Sequence, residues 1–164
     1  MSAVYVISDT HFGHRNILKY RPEFSTIEEH DQTIMEGIRS LNKRDSLWIL
    51  GDCFFTWDSL RFLGEMCSIV DNVNWIFGNH DTDRAERQQV LRHALMSFPL
   101  SKVGSMFKYG KHFWLTHYPI HPAELRGRRN IHGHVHRETI KDTRYINVCC
   151  EALDYKPVNI QTLV

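Results

Sequence analysis

The chain has 164 residues, 42% hydrophobic and 12% aromatic, which suits one packed domain spanning 1–164. Twenty Lys and Arg against nineteen Asp and Glu leave a formal net charge of +1, so no global field marks a nucleic-acid or membrane-surface binder. Met1 to Asp9 lack the basic start and apolar run of a signal peptide, and nothing reaches membrane-span length, so a cytoplasmic protein is expected.

The first apolar run, Val4–Ser8, reads as a strand. Thr26-Ile27-Glu28-Glu29 then fits a capping box, with Ile27, Ile34, Ile38 and Leu41 recurring on one helical face. A strand at Ser46–Leu50 follows. The next helix carries Leu60, Leu63, Cys67 and Val70, with Asp58 or Ser59 as its cap. After a strand at Asn74–Phe77, a weaker helix spans about Asp83 to Met96 with Val90, Leu91, Ala94 and Leu95 inward. Four closely spaced strands complete the chain: His112–Thr116, Arg129–His132, Arg144–Val148 and Val158–Leu163. The order predicts an α/β layered fold, with parallel pairings first and antiparallel ones later.

Cys53, Cys67 and the vicinal pair Cys149-Cys150 show no Cys-x-x-Cys spacing and read as buried or half-buried thiols. Eleven histidines are scattered along the chain rather than gathered in a run. Their placement is informative, because ligands in open α/β sheets collect beyond the carboxyl ends of the strands. Asp9-Thr10-His11 follows the first strand, and Gly51-Asp52 the second. Gly78-Asn79-His80-Asp81 follows the third, His117 comes after Phe113–Leu115, and Gly133-His134-Val135-His136 comes after Asn130-Ile131. Mixed imidazole and carboxylate donors suit manganese, iron, zinc or nickel better than an oxygen-only cage for calcium or magnesium. Two carboxylates facing two divalent ions leave surplus positive charge, which an anionic phosphoester complements.

Taken together, the motifs D-x-H, G-D, G-N-H-D, a lone His and G-H-x-H resemble the calcineurin-like metallophosphoesterase superfamily. The resemblance covers residues 9 to 136. His11-Phe12-Gly13-His14 and Thr116-His117-Tyr118-Pro119 look most like its small prokaryotic and phage members. It implies a four-layer αββα sandwich of two mixed β-sheets flanked by helices, and a cofactor of two divalent ions, Mn(2+) foremost. Asp9, His11 and His136 would hold one ion; Asn79, His117 and His134 would hold the other; Asp52 would bridge them. A hydroxide shared by the ions would attack phosphorus, His80 would assist the leaving oxygen, and Asp81 would orient that imidazole.

The expected substrate is a small phosphoester, a nucleotide or a nucleic-acid end, with no membrane and no obligate protein partner. Cys53-Phe54-Phe55 after Asp52 departs from the Asp-Arg-Gly continuation of Ser/Thr protein phosphatases, which argues against that substrate class. The other reading is a non-catalytic scaffold that retains the fold. Retention of every ligand position and of His80 speaks against it.

Outside the motifs, His14 either meets substrate or faces water. Arg126 or Arg128 either grips a phosphate bidentately or lies in a solvated loop. Phe12, Phe54, Phe55, Trp57 and Tyr118 line a base-stacking wall or belong to the core. His132 reads as packed beside the site, whereas His30, His93 and His112 read as solvent-facing.

Overall fold

A computed structural model describes residues 2–163. Strands β1 (Val4–Ile7), β2 (Ser46–Ile49), β3 (Asn72–Ile76) and β4 (Lys102–Gly104) run parallel, and helices α1 (Ile27–Arg39), α2 (Leu60–Ile69) and α3 (Ala85–Ser97) provide the crossovers that parallel pairing requires. Strands β5 (Met106–Tyr109), β6 (Phe113–Thr116), β7 (Arg129–His132) and β8 (Tyr145–Asn147) form a second sheet in that order. The short β9 (Val158–Asn159) returns to the first sheet, whose order is β4-β3-β2-β1-β9. Both sheets are mixed: β9 is the antiparallel member of the first and β5 of the second.

Residue alternation explains the layers. Ile7, Leu47, Ile49, Val73 and Trp75 face the helices and pack with Ile34, Ile38, Leu63 and Val90. Val6, Trp48, Leu50 and Ile76 point the other way and meet Phe113, Leu115, Ile131 and Val148 of the second sheet. Each such side chain contributes roughly 1.5–3 kcal/mol by leaving water. Among the described residues, no α-helix lies on the outer face of the second sheet. A loop with a 3-10 turn at Pro122–Glu124 covers it, held by Trp114 Nε1 donating to the Leu125 carbonyl and by Tyr145 Oη donating to the Ile120 carbonyl.

Local signals set the α1 boundary. Thr26 caps α1 by accepting from Glu29 N at 3.1 Å, and the Glu29 carboxylate returns to Ser25 N at 2.9 Å. Ser59 occupies the cap position of α2, yet its hydroxyl bonds to the Thr56 carbonyl instead of capping.

Several expectations need correction. The later strands are not mainly antiparallel, because β6, β7 and β8 pair in parallel. The hairpin-like passage from β4 to β5, where the chain switches sheets, has no clear periodicity, since both strands lie at sheet edges and are largely exposed. Val158–Leu163 is strand only at Val158–Asn159 and then turns into a 3-10 segment. Leu95 is exposed on α3, and His30 is fully buried on α1 rather than solvent-facing.

Candidate metal centre

The parallel strands deliver their carboxyl ends to one edge, where the loops are stitched to one another beyond the sheets. Asp9 N donates to the Gly51 carbonyl (3.0 Å), His11 N to the Asp52 carbonyl (3.0 Å), and Gly133 N to the His117 carbonyl (2.9 Å). Ser8 joins the two sheets by bonding to Val148 and Cys150. Close approach here needs glycine. A Cβ on Gly51 would sit 2.5 Å from His117 Nδ1, one on Gly78 would collide with Asp52, and one on Gly133 would collide with Ser8 and Asp9.

The backbone is strained at this edge. Asp9 (φ 57°), His11 (φ 49°), Asp52 (φ 52°), His134 (φ 70°) and His136 (φ 51°) all occupy the left-handed region, which L side chains rarely adopt. Such residues cost on the order of 1–3 kcal/mol each and persist only where the surroundings fix them. Here the loop hydrogen bonds do so.

Two donor groups result. Asp9, His11 and His136 form one; Asp52, His117 and His134 form the other, and within each group the donor atoms lie within 4.8 Å of one another. Asn79 joins the second, its Oδ1 lying 3.0 Å from His117 Nε2 and 3.1 Å from His134 Nδ1. Asp52 faces both groups: its Oδ2 is 4.0 Å from His11 Nε2 and 3.4 Å from His117 Nε2, while its Oδ1 accepts from His80 N at 2.8 Å.

The donor chemistry fits cations. Asp9 Oδ1 and His11 Nε2 are buried without any hydrogen-bond partner, an arrangement that is costly unless something positive sits between them. His117 Nδ1 lies 2.7 Å from the Leu50 carbonyl and must donate to it, so Nε2 presents a lone pair toward the lone pairs of Asn79 Oδ1. Two acceptors that close require a proton or a metal. In the metal-free chain the proton wins: burial pushes His117 down, but the Asp52 and Asp9 carboxylates outweigh it and hold the imidazole up at about 9. Burial instead dominates at His11, which falls to about 4 and is a neutral donor. Burial also pushes Asp9 and Asp52 up, and the surrounding imidazoles more than reverse this, keeping both carboxylates ionised.

Asp81 requires a correction. It does not touch the His80 ring. Its buried carboxylate accepts from the backbone N–H groups of Gly78 (2.7 Å), Asp52 (3.0 Å) and Cys53 (3.0 Å), and lies 3.3 Å from Trp75 Nε1. Burial and the neighbouring Asp52 charge push it up to about 6. The group that orients His80 is Asp83, whose Oδ2 lies 2.7 Å from His80 Nδ1. Arg126 and Arg128 are likewise not brought to the site. Arg126 pairs with Glu124 on the surface, and Arg128 lies over the Trp114 ring on the outer face of the second sheet.

A cleft of about 440 Å³ opens beside the first donor group, lined by His11, His14, His80, His136, Ile17, Tyr20, Val135, Arg137, Glu138 and Glu151. His14 stands in it with its Nδ1 3.0 Å from His11 Nδ1 and its ring stacked on Phe55. Phe12, Phe54 and Phe55 are core residues, whereas Trp57 and Tyr118 are exposed. His132 is buried, while His93 and His112 are exposed.

The motifs left out four buried residues that tie the site together: Arg21, His30, Asp31 and Glu151. Only Glu151 left a signal. It follows the β8 run much as the other site residues follow their strands.

Residues 2–150 match the model of the calcineurin-like phosphoesterase superfamily domain, and the chain belongs to that superfamily. It is similar to an uncharacterised protein of Methanocaldococcus jannaschii, 29% identical over all of this chain and 90% of that one. It is also 34% identical to the gene 66 protein of Mycobacterium phage L5, over 49% of this chain and 41% of that protein. A crystal structure of a protein of unknown function from Aquifex aeolicus shares the fold, with a TM-score of 0.72 and 24% identity over the full length of both chains. Among the described residues, no helix is long and apolar enough to cross a membrane.

Proposed function

We propose that the chain is a two-metal phosphoesterase acting on phosphodiesters or nucleotides. One observation carries the reading: Asp52 lies between two donor groups, and His11 and His136 of the first line a cleft together with His80 and His14. When bound there, two divalent cations, with manganese best suited to the donor set and iron, zinc or nickel also compatible, supply Lewis-acid charge for phosphoryl oxygens and an activated water for attack.

The remaining tasks fall to the chain's own side chains. For His11 to offer Nε2, it must carry its proton on Nδ1 and donate it to His14 Nδ1, 3.0 Å away. His14 then carries its own proton on Nε2 and is a hydrogen-bond donor on the cleft wall. Burial, with the nearby His11 and Arg87, pushes His14 down to about 3, so it performs this role as a neutral ring. With His80 Nδ1 tied to Asp83, His80 Nε2 is the atom left to pass a proton to the leaving oxygen.

Beyond the reacting centre, Ile17, Val135 and the exposed ring of Tyr20 give the cleft an apolar wall. Arg137, held by Glu23 at 2.8 Å and 3.0 Å, places a cation beside it. A cleft of this size suits a nucleotide or a nucleic-acid end better than a folded protein.

The test is hydrolysis of bis-p-nitrophenyl phosphate with manganese and with chelator, followed by monoesters, cyclic nucleotides and nucleic-acid ends. The expected result is manganese-dependent turnover that chelation abolishes, with diesters or nucleotides leading. No manganese-dependent rate on any of them, with metal occupancy verified, would favour a binding scaffold instead.

A further inference from the structure

Glu151 belongs to none of the five motifs, yet it is the partner of His136. Its Oε1 lies 2.9 Å from His136 Nδ1, and its side chain is only 2% exposed. The same oxygen accepts from Arg21 Nε at 2.8 Å. Arg21 is fully buried, and each of its other two nitrogens also has a partner. Nη2 donates to the Asp9 carbonyl at 2.7 Å, and Nη1 lies 2.7 Å from His30 Nε2.

A guanidinium only donates, so His30 Nε2 accepts and His30 must hold its proton on Nδ1. That atom lies 2.8 Å from Asp31 Oδ1, and Asp31 Oδ2 accepts from Gly13 N at 3.0 Å, just past His11. One buried chain of polar groups therefore fixes the tautomer and aim of His136, the left-handed carbonyl of Asp9 and the loop that follows His11.

In the second donor group Asp81 braces the backbone of Asp52, but among the described residues no charged side chain stands behind a ligating imidazole. His117 leans on the neutral carbonyl of Leu50, and Asp52 on the backbone of His80. We infer that Glu151 and Arg21 are positioning residues for one metal only, the ion held by Asp9, His11 and His136, and that they set its affinity independently of the other. This rests on the two-metal reading above. A carboxylate on the far nitrogen of a ligating imidazole fixes its orientation and strengthens it as a donor, and losing such a partner weakens metal binding by about 10–100-fold.

Manganese titration of the purified protein by calorimetry tests this, with wild type compared against Glu151→Gln. The expected result is that one of two binding events weakens by about 10–100-fold while the other stays within about twofold. Glu151→Gln leaves Arg21 buried beside a neutral partner and can misfold. The double variant Arg21→Met with Glu151→Met removes both charges together, a replacement that buried ion pairs tolerate. It should show the same selective loss. Two unchanged events in a folded variant, or equal weakening of both, would overturn the inference. Wild type that binds no manganese would instead remove the two-metal reading itself.

Discussion

His80 Nδ1 lies 2.7 Å from Asp83 Oδ2, across one turn of chain at the entrance of α3, while the adjacent Asp81 points away into the protein. The imidazole is thus steered from the solvent side. Replacing His80 by Ala should lower turnover by about 10²–10⁴-fold with metal content unchanged, as for loss of a general acid. Asp83→Asn should do far less. The pair is partly exposed, and such pairs contribute at most about 1 kcal/mol, or roughly fivefold in rate. Steady-state kinetics on both variants checks this. Equal losses would show that Asp83 does more than aim the ring.

Asp81 should matter for stability rather than for proton transfer. Asp81→Ala strands the backbone N–H groups of Gly78, Asp52 and Cys53 in a buried turn. At about 1–3 kcal/mol for each buried donor left unsatisfied, the metal-free protein should lose at least about 3 kcal/mol in urea unfolding. A loss below about 1 kcal/mol would contradict this role.

Metal binding should release protons. His117 stands at about 9 in the metal-free chain against an ordinary 6.5, so it is protonated at neutral pH and must lose that proton to bind an ion. His136 is also raised: Glu151 and Asp9 outweigh its burial. His11, at about 4, is already neutral and adds nothing above pH 5. Apparent manganese affinity should therefore climb at least about tenfold per pH unit from neutrality toward pH 9 and then flatten. The sign for stability is the opposite. The raised His117 contributes to the metal-free fold fully below 6.5, and that contribution fades as pH rises through about 9. Titrations in buffers of different ionisation enthalpy count the protons. An affinity that does not vary with pH would be inconsistent with His117 as a ligand.

Gly133→Ala probes the close packing at the strand ends. Its methyl group would collide with Ser8 Oγ and Asp9 Oδ2, both fully buried. Asp9 Oδ2 already accepts from His134 N at 2.9 Å, so it has little freedom to retreat. The variant should lose about 1–3 kcal/mol and hold less metal, measured by thermal unfolding and elemental analysis. Normal metal content would show that Asp9 can move aside.

The fold was legible where the chain is regular. Ile27, Ile34 and Ile38 mark α1, and the apolar runs at β1, β2, β6 and β7 place the motifs at strand ends. Edge elements were not legible: β4 and β5 bury little, so no buried face imposes an apolar pattern on them. At the site, the residues proposed as ligands announced themselves by type and by following strands. Their supports did not. Arg21 and Glu151 lie 130 positions apart and meet only because two loops fold onto the same edge. Asp81 and Asp83 differ by two positions, and only the turn before α3 decides which of them faces the His80 ring. The histidine on α1, His30, looks polar and surface-bound until Arg21 and Asp31 are seen to satisfy both of its nitrogens.

Anomalous diffraction from crystals grown with manganese addresses the two-metal centre most directly. The account predicts two peaks on either side of Asp52, one among Asp9, His11 and His136 and the other among Asn79, His117 and His134. A single peak away from Asp52, or no peak in that pocket at saturating manganese, would contradict it.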